Sequence, residues 1–232
     1  MVFCTSHRAW RIAIFLCVLG TMSCADFSPR RSTLWPFAEK RDTVAGVKTA
    51  TERVAELKKL SASAKDTQPE QQARISADLC DQLRREEDPL MRIELINTLA
   101  VYRTTIATKM LEAALIDTDA EVREAACAAW GKRGGEDAVG QLTRVLSSDT
   151  NLDVRLAAAR ALGETKSQRA IAPLGEALSD KDPALQNRVV QSLRTISGRE
   201  YGNDVEAWQQ FAKGGHVDTK TPSLAERLRK LF

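Results

Sequence analysis

The chain has 232 residues, 43% of them apolar and 5% aromatic, with 34 Lys and Arg against 31 Asp and Glu. That length supports one domain with a substantial core. Leu and Ala dominate and the formal charge is only +3, which points to an all-α fold and away from a duplex-binding surface, where a marked basic excess on one face is needed.

Residues 1–24 read as a targeting leader outside the fold. His7, Arg8 and Arg11 make a basic start, and Ile12 to Gly20 is an uncharged apolar stretch too short to span a membrane as a helix. Thr21-Met22-Ser23-Cys24 then resembles a bacterial lipobox, with a small residue before the cysteine and Thr21 where the commonest form has Leu. Two readings stay open: lipidation of Cys24, or plain cleavage after Ala25, since Ser23 and Ala25 are both small. Either way the expected address is a bacterial cell envelope, and lipidation would bring the chain to a membrane through Cys24. Loss of the leader removes Arg8 and Arg11 and takes the charge from +3 to +1, so no nucleic acid is expected as a partner. Residues 25–41 include Ser28, Pro29, Arg30, Arg31, Ser32 and Pro36 without a helical period and read as a flexible tether holding Trp35 and Phe37. Over 42–66 the spacing of Val47, Ala50, Val54, Leu57 and Leu60 predicts an N-terminal capping helix, with a break from Ser61 to Pro69.

Residues 67–197 repeat themselves. Met91, Val122, Val154 and Leu185 stand in one register, at steps of 31, 32 and 31 residues. One turn on come Leu95, Ala126, Ala158 and Val189, and one more gives Leu99, Trp130, Leu162 and Leu193. Three residues before each anchor is a capping side chain: Asp88, Asp119, Asn151 and Asp182. Pro89 and Pro183 follow two of these caps, where a missing N–H costs nothing. Ahead of each such helix lies an i,i+4 leucine pair, Leu79 and Leu83, Leu111 and Leu115, Leu142 and Leu146, Leu174 and Leu178. The unit is therefore a helix–turn–helix of about 31 residues, present four times. It is apolar on two sides, so only stacking buries it. Gly131 is expected to close its helix in a left-handed conformation, and Gly131 to Gly135 to form a loop between units.

Asp119-x-x-Val122-Arg123-x-x-Ala126-Cys127-x-Ala129-Trp130-Gly131, and its counterpart Asn151-x-x-Val154-Arg155-x-x-Ala158-Ala159-x-Ala161-Leu162-Gly163, resemble HEAT-type repeats. Within that type they resemble the bacterial subset close to phycobilin-lyase-like repeats. The resemblance covers residues 69 to 197, and Pro173 fits it, since first helices of such units often kink at a proline. The flanking units depart from the pattern: Asp88 to Ala100 lacks the terminal Gly, and Gln186 stands where the Arg should be. The implied fold is an α-solenoid of about four HEAT-type helix–turn–helix repeats with N- and C-terminal capping helices. Residues 198–232 supply the C-terminal part: Asn203 or Asp204 can cap a helix carrying Val205, Trp208 and Phe211, and Thr221 and Pro222 open a last helix with Leu224, Leu228 and Leu231 on one face beside Arg227, Arg229 and Lys230.

Catalytic chemistry finds little support in these residues. Past the leader His216 is the only histidine, so no His-rich metal site, no iron-carrying hydroxylase set and no Ser-His-Asp arrangement is expected. Cys80 and Cys127 sit beside apolar anchors on different units and read as buried thiols. Gly131 to Gly135 follows no strand and is not a phosphate loop. Arg92, Arg123 and Arg155 share a register position; they form either an anion-binding ladder or pairs with acids of the neighbouring unit, the arrangement that the resemblance implies. No enzyme activity, metal or cofactor is expected. Two roles stay open: a non-catalytic protein-binding scaffold, or an accessory subunit of an enzyme, as in lyase-like proteins that handle a chromophore. With each anchor at 0° and steps of about 100° per residue, the positions at about 200–240° should line the concave surface made by second helices. They are Ile93, Glu124, Leu156 and Asn187 in one row, and Asn97, Ala128, Arg160 and Gln191 in the next. An unidentified protein partner is expected along them, anchored by Ile93 and Leu156.

Overall fold

The computed structural model describes residues 46–215. The leader, Cys24, the tether, His216 and the helix expected from Thr221 lie outside them. The described residues form an α-solenoid of ten helices: α1 (Ala50–Ser63), α2 (Pro69–Arg85), α3 (Pro89–Leu99), α4 (Thr105–Ala114), α5 (Ala120–Arg133), α6 (Gly135–Ser148), α7 (Leu152–Glu164), α8 (Ile171–Ala177), α9 (Pro183–Ser197) and α10 (Val205–Ala212). Two rows result. The second helices α3, α5, α7 and α9 pack on one another in sequence, with α1 ahead of them against α3. The first helices α2, α4, α6 and α8 form the other row, and α10 packs on α8 and α9 behind them.

Each second helix starts at the side chain the repeat supplies for it. Asp119 accepts from the N–H groups of Glu121 and Val122, Asn151 from Asp153 and Val154, and Asp182 from Ala184 and Leu185. Asp88 accepts from Leu90, behind Pro89 at the first helical position. All twelve register residues of the second helices and all eight leucines of the first are buried. Ile96, Cys127, Ala159 and Val190 widen the same buried stripe. Trp130 fills the position that is Leu in the other units and is 2% exposed. Pro173 lies in the first turn of α8, after a 3-10 turn over Gln168–Ala170, where its missing N–H interrupts nothing. Asp204 caps α10 through the Ala207 N–H, and Trp208 is buried with its indole N–H on the Gly202 carbonyl.

Three expectations need correcting. The N-terminal helix begins at Ala50, after Val47, because Thr49 and Glu52 form a capping box at its start. Val47 consequently lies outside the helix and is 65% exposed. The same helix runs through Ser61 to Ser63, and the break before α2 is a 3-10 turn, Ala64–Asp66. Gly131 does not close α5. The helix continues to Arg133, and Gly134 ends it with φ 62°, so one residue separates α5 from α6 and the expected loop is absent. Gly131 serves another purpose: a Cβ on it would stand 2.9 Å from Ala161 Cβ and 3.1 Å from the Ala161 carbonyl oxygen. Gly163 repeats this against Ser192, at 2.8 Å from its Oγ. These glycines let consecutive second helices touch through their backbones.

Candidate functional site

The eight residues expected to face a partner are spread over α3, α5, α7 and α9. Asn97, Arg160, Asn187 and Gln191 are exposed; Ile93, Glu124, Ala128 and Leu156 are half-buried. Ile93 and Leu156 lean on the core, so only part of each is free to meet another surface. Arg160 pairs with Glu164 at 3.6 Å, and Gln191 donates to Asn187 at 2.8 Å. Burial, followed by the charges of Asp153 and Glu121, pushes the Glu124 carboxyl above its ordinary range. This part of the row is therefore a crowded acidic surface set among small and half-buried apolar side chains. Leu90, one turn ahead of Ile93 on α3, is 65% exposed, and sequence reasoning passed over it.

The arginine register resolves into pairs between neighbouring units. Arg92 holds Asp117 through two bonds of 3.1 and 2.9 Å, and Arg123 holds Asp149 through bonds of 2.8 and 3.2 Å. Arg155 pairs with Asp180. Arg53 of α1 does the same with Glu86, which extends the ladder one step further towards the N-terminus than the register arginines. Each acid also accepts the backbone N–H two residues on, at Asp88, Asp119, Asn151 or Asp182, the capping residue of the next helix. One carboxylate therefore ties a unit to its neighbour and sets the start of its own second helix. For Asp149, burial pulls the carboxyl upward, but the Arg123 bonds, the Asn151 N–H and the charges of Arg123 and Arg155 outweigh it and hold the group low. The Arg53 bond does most to hold Glu86 low, as the Arg155 bond does for Asp180. The Gln186 departure is explained here: its amide donates to the Asp180 and Leu178 carbonyls of its own unit. The ladder acids were missed in the sequence, although an acid two residues before each cap recurs four times.

Clefts open between successive first helices, in contrast to the tight second-helix row. One of about 430 Å³ lies between the ends of α4 and α6, and another of about 320 Å³ between α6 and α8. Of the eight expected partner residues, Asn187 lines a further cavity of about 180 Å³ beside Gln186 and Asn203. Cys80 and Cys127 are free and buried as expected. Burial, helped by Asp149 and Glu124, pushes the Cys127 thiol up to about 12, so it stays protonated and unreactive at neutral pH. Among the described residues no group of three or more His, Cys, Asp or Glu could hold a metal ion, and no helix is long and apolar enough to cross a membrane.

The family of HEAT repeats matches residues 76–155 and 141–210, which together make up more than half of the chain. This chain is a HEAT-repeat protein. The matched HEAT segments run from within α2 to within α10 and so include the three register pairs from Arg92 to Asp180, but not Arg53. No curated protein shows significant similarity to the chain. A solved structure of human deoxyhypusine hydroxylase in complex with glycerol is similar over 53% of this chain and 44% of its own, with 25% identity and a TM-score of 0.48. This chain therefore spans less than half of that protein.

Proposed function

We propose that this HEAT-repeat chain is a non-catalytic scaffold that binds a protein partner along its second helices. The observation that carries the reading is that Ile93, Ala128 and Leu156, in two adjacent rows with Asn97, Glu124, Arg160, Asn187 and Gln191, stand on consecutive second helices. A solvated face would favour Lys and Glu there, whereas apolar side chains next to hydrogen-bonding ones suit a protein surface. The lipobox-like Ser23-Cys24 behind an apolar stretch supports export and tethering at Cys24 in the envelope of a bacterium. The resemblance of the Asp119 to Gly131 and Asn151 to Gly163 motifs to phycobilin-lyase-like repeats supports the competing role of enzyme accessory subunit.

A pull-down from native envelopes tests both roles. A stable protein partner is expected; a co-purifying coloured or small ligand would favour the accessory subunit. The double change Ile93→Glu and Leu156→Glu should abolish capture. Because both residues also touch the core, the exposed pair Asn97→Glu and Gln191→Glu serves beside it, with melting as the control. Undiminished capture by both folded variants would move the partner off this face. Intact-mass analysis should give a mature chain starting at Cys24 with added acyl mass, and a start at unmodified Asp26 would overturn the tether.

A further inference from the structure

The repeat supplies its own control for one of its clefts. The α4/α6 cleft and the α6/α8 cleft are the same construction one unit apart, with Leu115 answered by Leu146, and Arg123 with Asp149 answered by Arg155 with Asp180. Among the register positions that line both clefts three differ: Ile116, Arg144 and Val145 in the first become Ser147, Glu176 and Ala177 in the second, while Asp117 and Thr150 line only the first and Thr143 and Pro173 only the second. Ile116 is 77% exposed, and the residue after the leucine pair is Arg84, Ser147 and Ser179 in the other units. An isoleucine so exposed on a repeat position that is otherwise polar has no part in folding that the other units need. The two acids in this cleft, Asp117 and Asp149, are held by Arg92 and Arg123. Arg144 is exposed, donates to Gln141 at 2.6 Å, and has no carboxylate within ion-pair distance among the described residues.

We propose that this cleft of about 430 Å³ docks a short extended segment of a protein partner in which an apolar side chain stands next to a carboxylate. The apolar side chain lies against the exposed Ile116, over the buried Leu115 and Val145 at the base of the cleft, and the carboxylate meets Arg144 as a charge-assisted pair. The segment is acidic because Arg144 is the charge the cleft leaves uncompensated, and it belongs to this unit because Glu176 reverses that charge in the next. The surface is on the first-helix side and stands whether or not a partner lies along the second helices.

The test uses the purified chain, amide NMR and three ten-residue peptides that differ only at a central leucine–glutamate, leucine–lysine or alanine–glutamate pair. The leucine–glutamate peptide should shift the amides of Ile116, Arg144 and Val145, and the other two should bind at least about tenfold more weakly. Arg144→Glu should reverse the preference between glutamate and lysine, and Ile116→Asp should remove binding, while Ser147→Asp in the neighbouring cleft changes nothing. Both key positions are exposed, and an unchanged melting curve shows that each variant is folded. Equal binding of the three peptides, shifts confined to other helices, or no shifts at millimolar peptide would overturn the proposal.

Discussion

Asp149 carries more than its size suggests. Its Oδ2 accepts from Arg123 at 2.8 Å, while Oδ1 accepts from Arg123 at 3.2 Å and from the Asn151 N–H at 2.8 Å. The pair is 15% and 9% exposed, so water screens it little. Arg123→Ala should cost about 2 kcal/mol, the usual size for a charged hydrogen-bonded pair of this kind. Asp149→Asn keeps an acceptor for Asn151 but loses the charge, and the double variant should be hardly less stable than the worse single one. Glu86, Asp149 and Asp180 all have carboxyls held low in the folded chain. Their contribution is therefore complete above the unfolded carboxylate range, near about 4, and is lost as pH falls through the lower folded values. Urea titrations should show the difference between native and Arg123→Ala chains shrinking from neutral pH towards about pH 2; a constant gap would mean that the pair contributes no ionic stabilisation.

At the level of helices, the decisive contact is between backbones. Gly131→Ala gives α5 a better helix former, worth about 1 kcal/mol in isolation. The new methyl, however, would lie 2.9 Å from Ala161 Cβ and 3.0 Å from its Cα, and a backbone cannot swing aside as a side-chain tip can. Net destabilisation of about 1–3 kcal/mol is expected. Gly140→Ala is the counterpart: Gly140 is in α6, and nothing stands within 4 Å of its added Cβ. It should stabilise by about 0.5–1 kcal/mol. Opposite shifts in the two urea midpoints check this, and a shared direction would refute the close approach. The same glycine marks how far the sequence can be read. Anchors such as Val122 and Leu162 are legible because burial there follows the period of a single helix. A glycine near a helix end is called for equally by a left-handed cap and by a touching neighbour, and periodicity carries no information on neighbours. The ladder acids were hidden for a related reason: Asp117 lies in a turn, 25 residues from its partner, where acids are common anyway. Leu90 and Ile116 escaped because a helical period marks what is buried, and both are exposed.

Across the whole array each unit touches only its neighbours, so stability is distributed along a line. Trp130 is in the middle of that line, and Trp208 is near one end of the described residues, on α10 against α8 and α9. Truncating either to alanine should cost about 3–5 kcal/mol, the usual range for a buried aromatic. Their reach should differ. Hydrogen exchange after Trp208→Ala should show α8 and α9 losing protection while α2 to α5 keep it. Trp130→Ala should lower protection on both sides of α5. Uniform loss from Trp208→Ala would mean that the solenoid melts as one block.

Gln186 has a bearing on how such a chain could lengthen or shorten during its evolution. Wherever an arginine stands in the register, the unit offers a guanidinium to whichever turn acid follows, and the following unit needs nothing more specific than an acid before its cap. A duplicated unit inserted between α5 and α6 would find both halves of this junction ready. One added after α9 would find only an amide already turned back on its own carbonyls. Internal duplication would thus keep the ladder continuous, whereas growth at this end would leave one junction without its arginine pair, and a single codon separates the two outcomes.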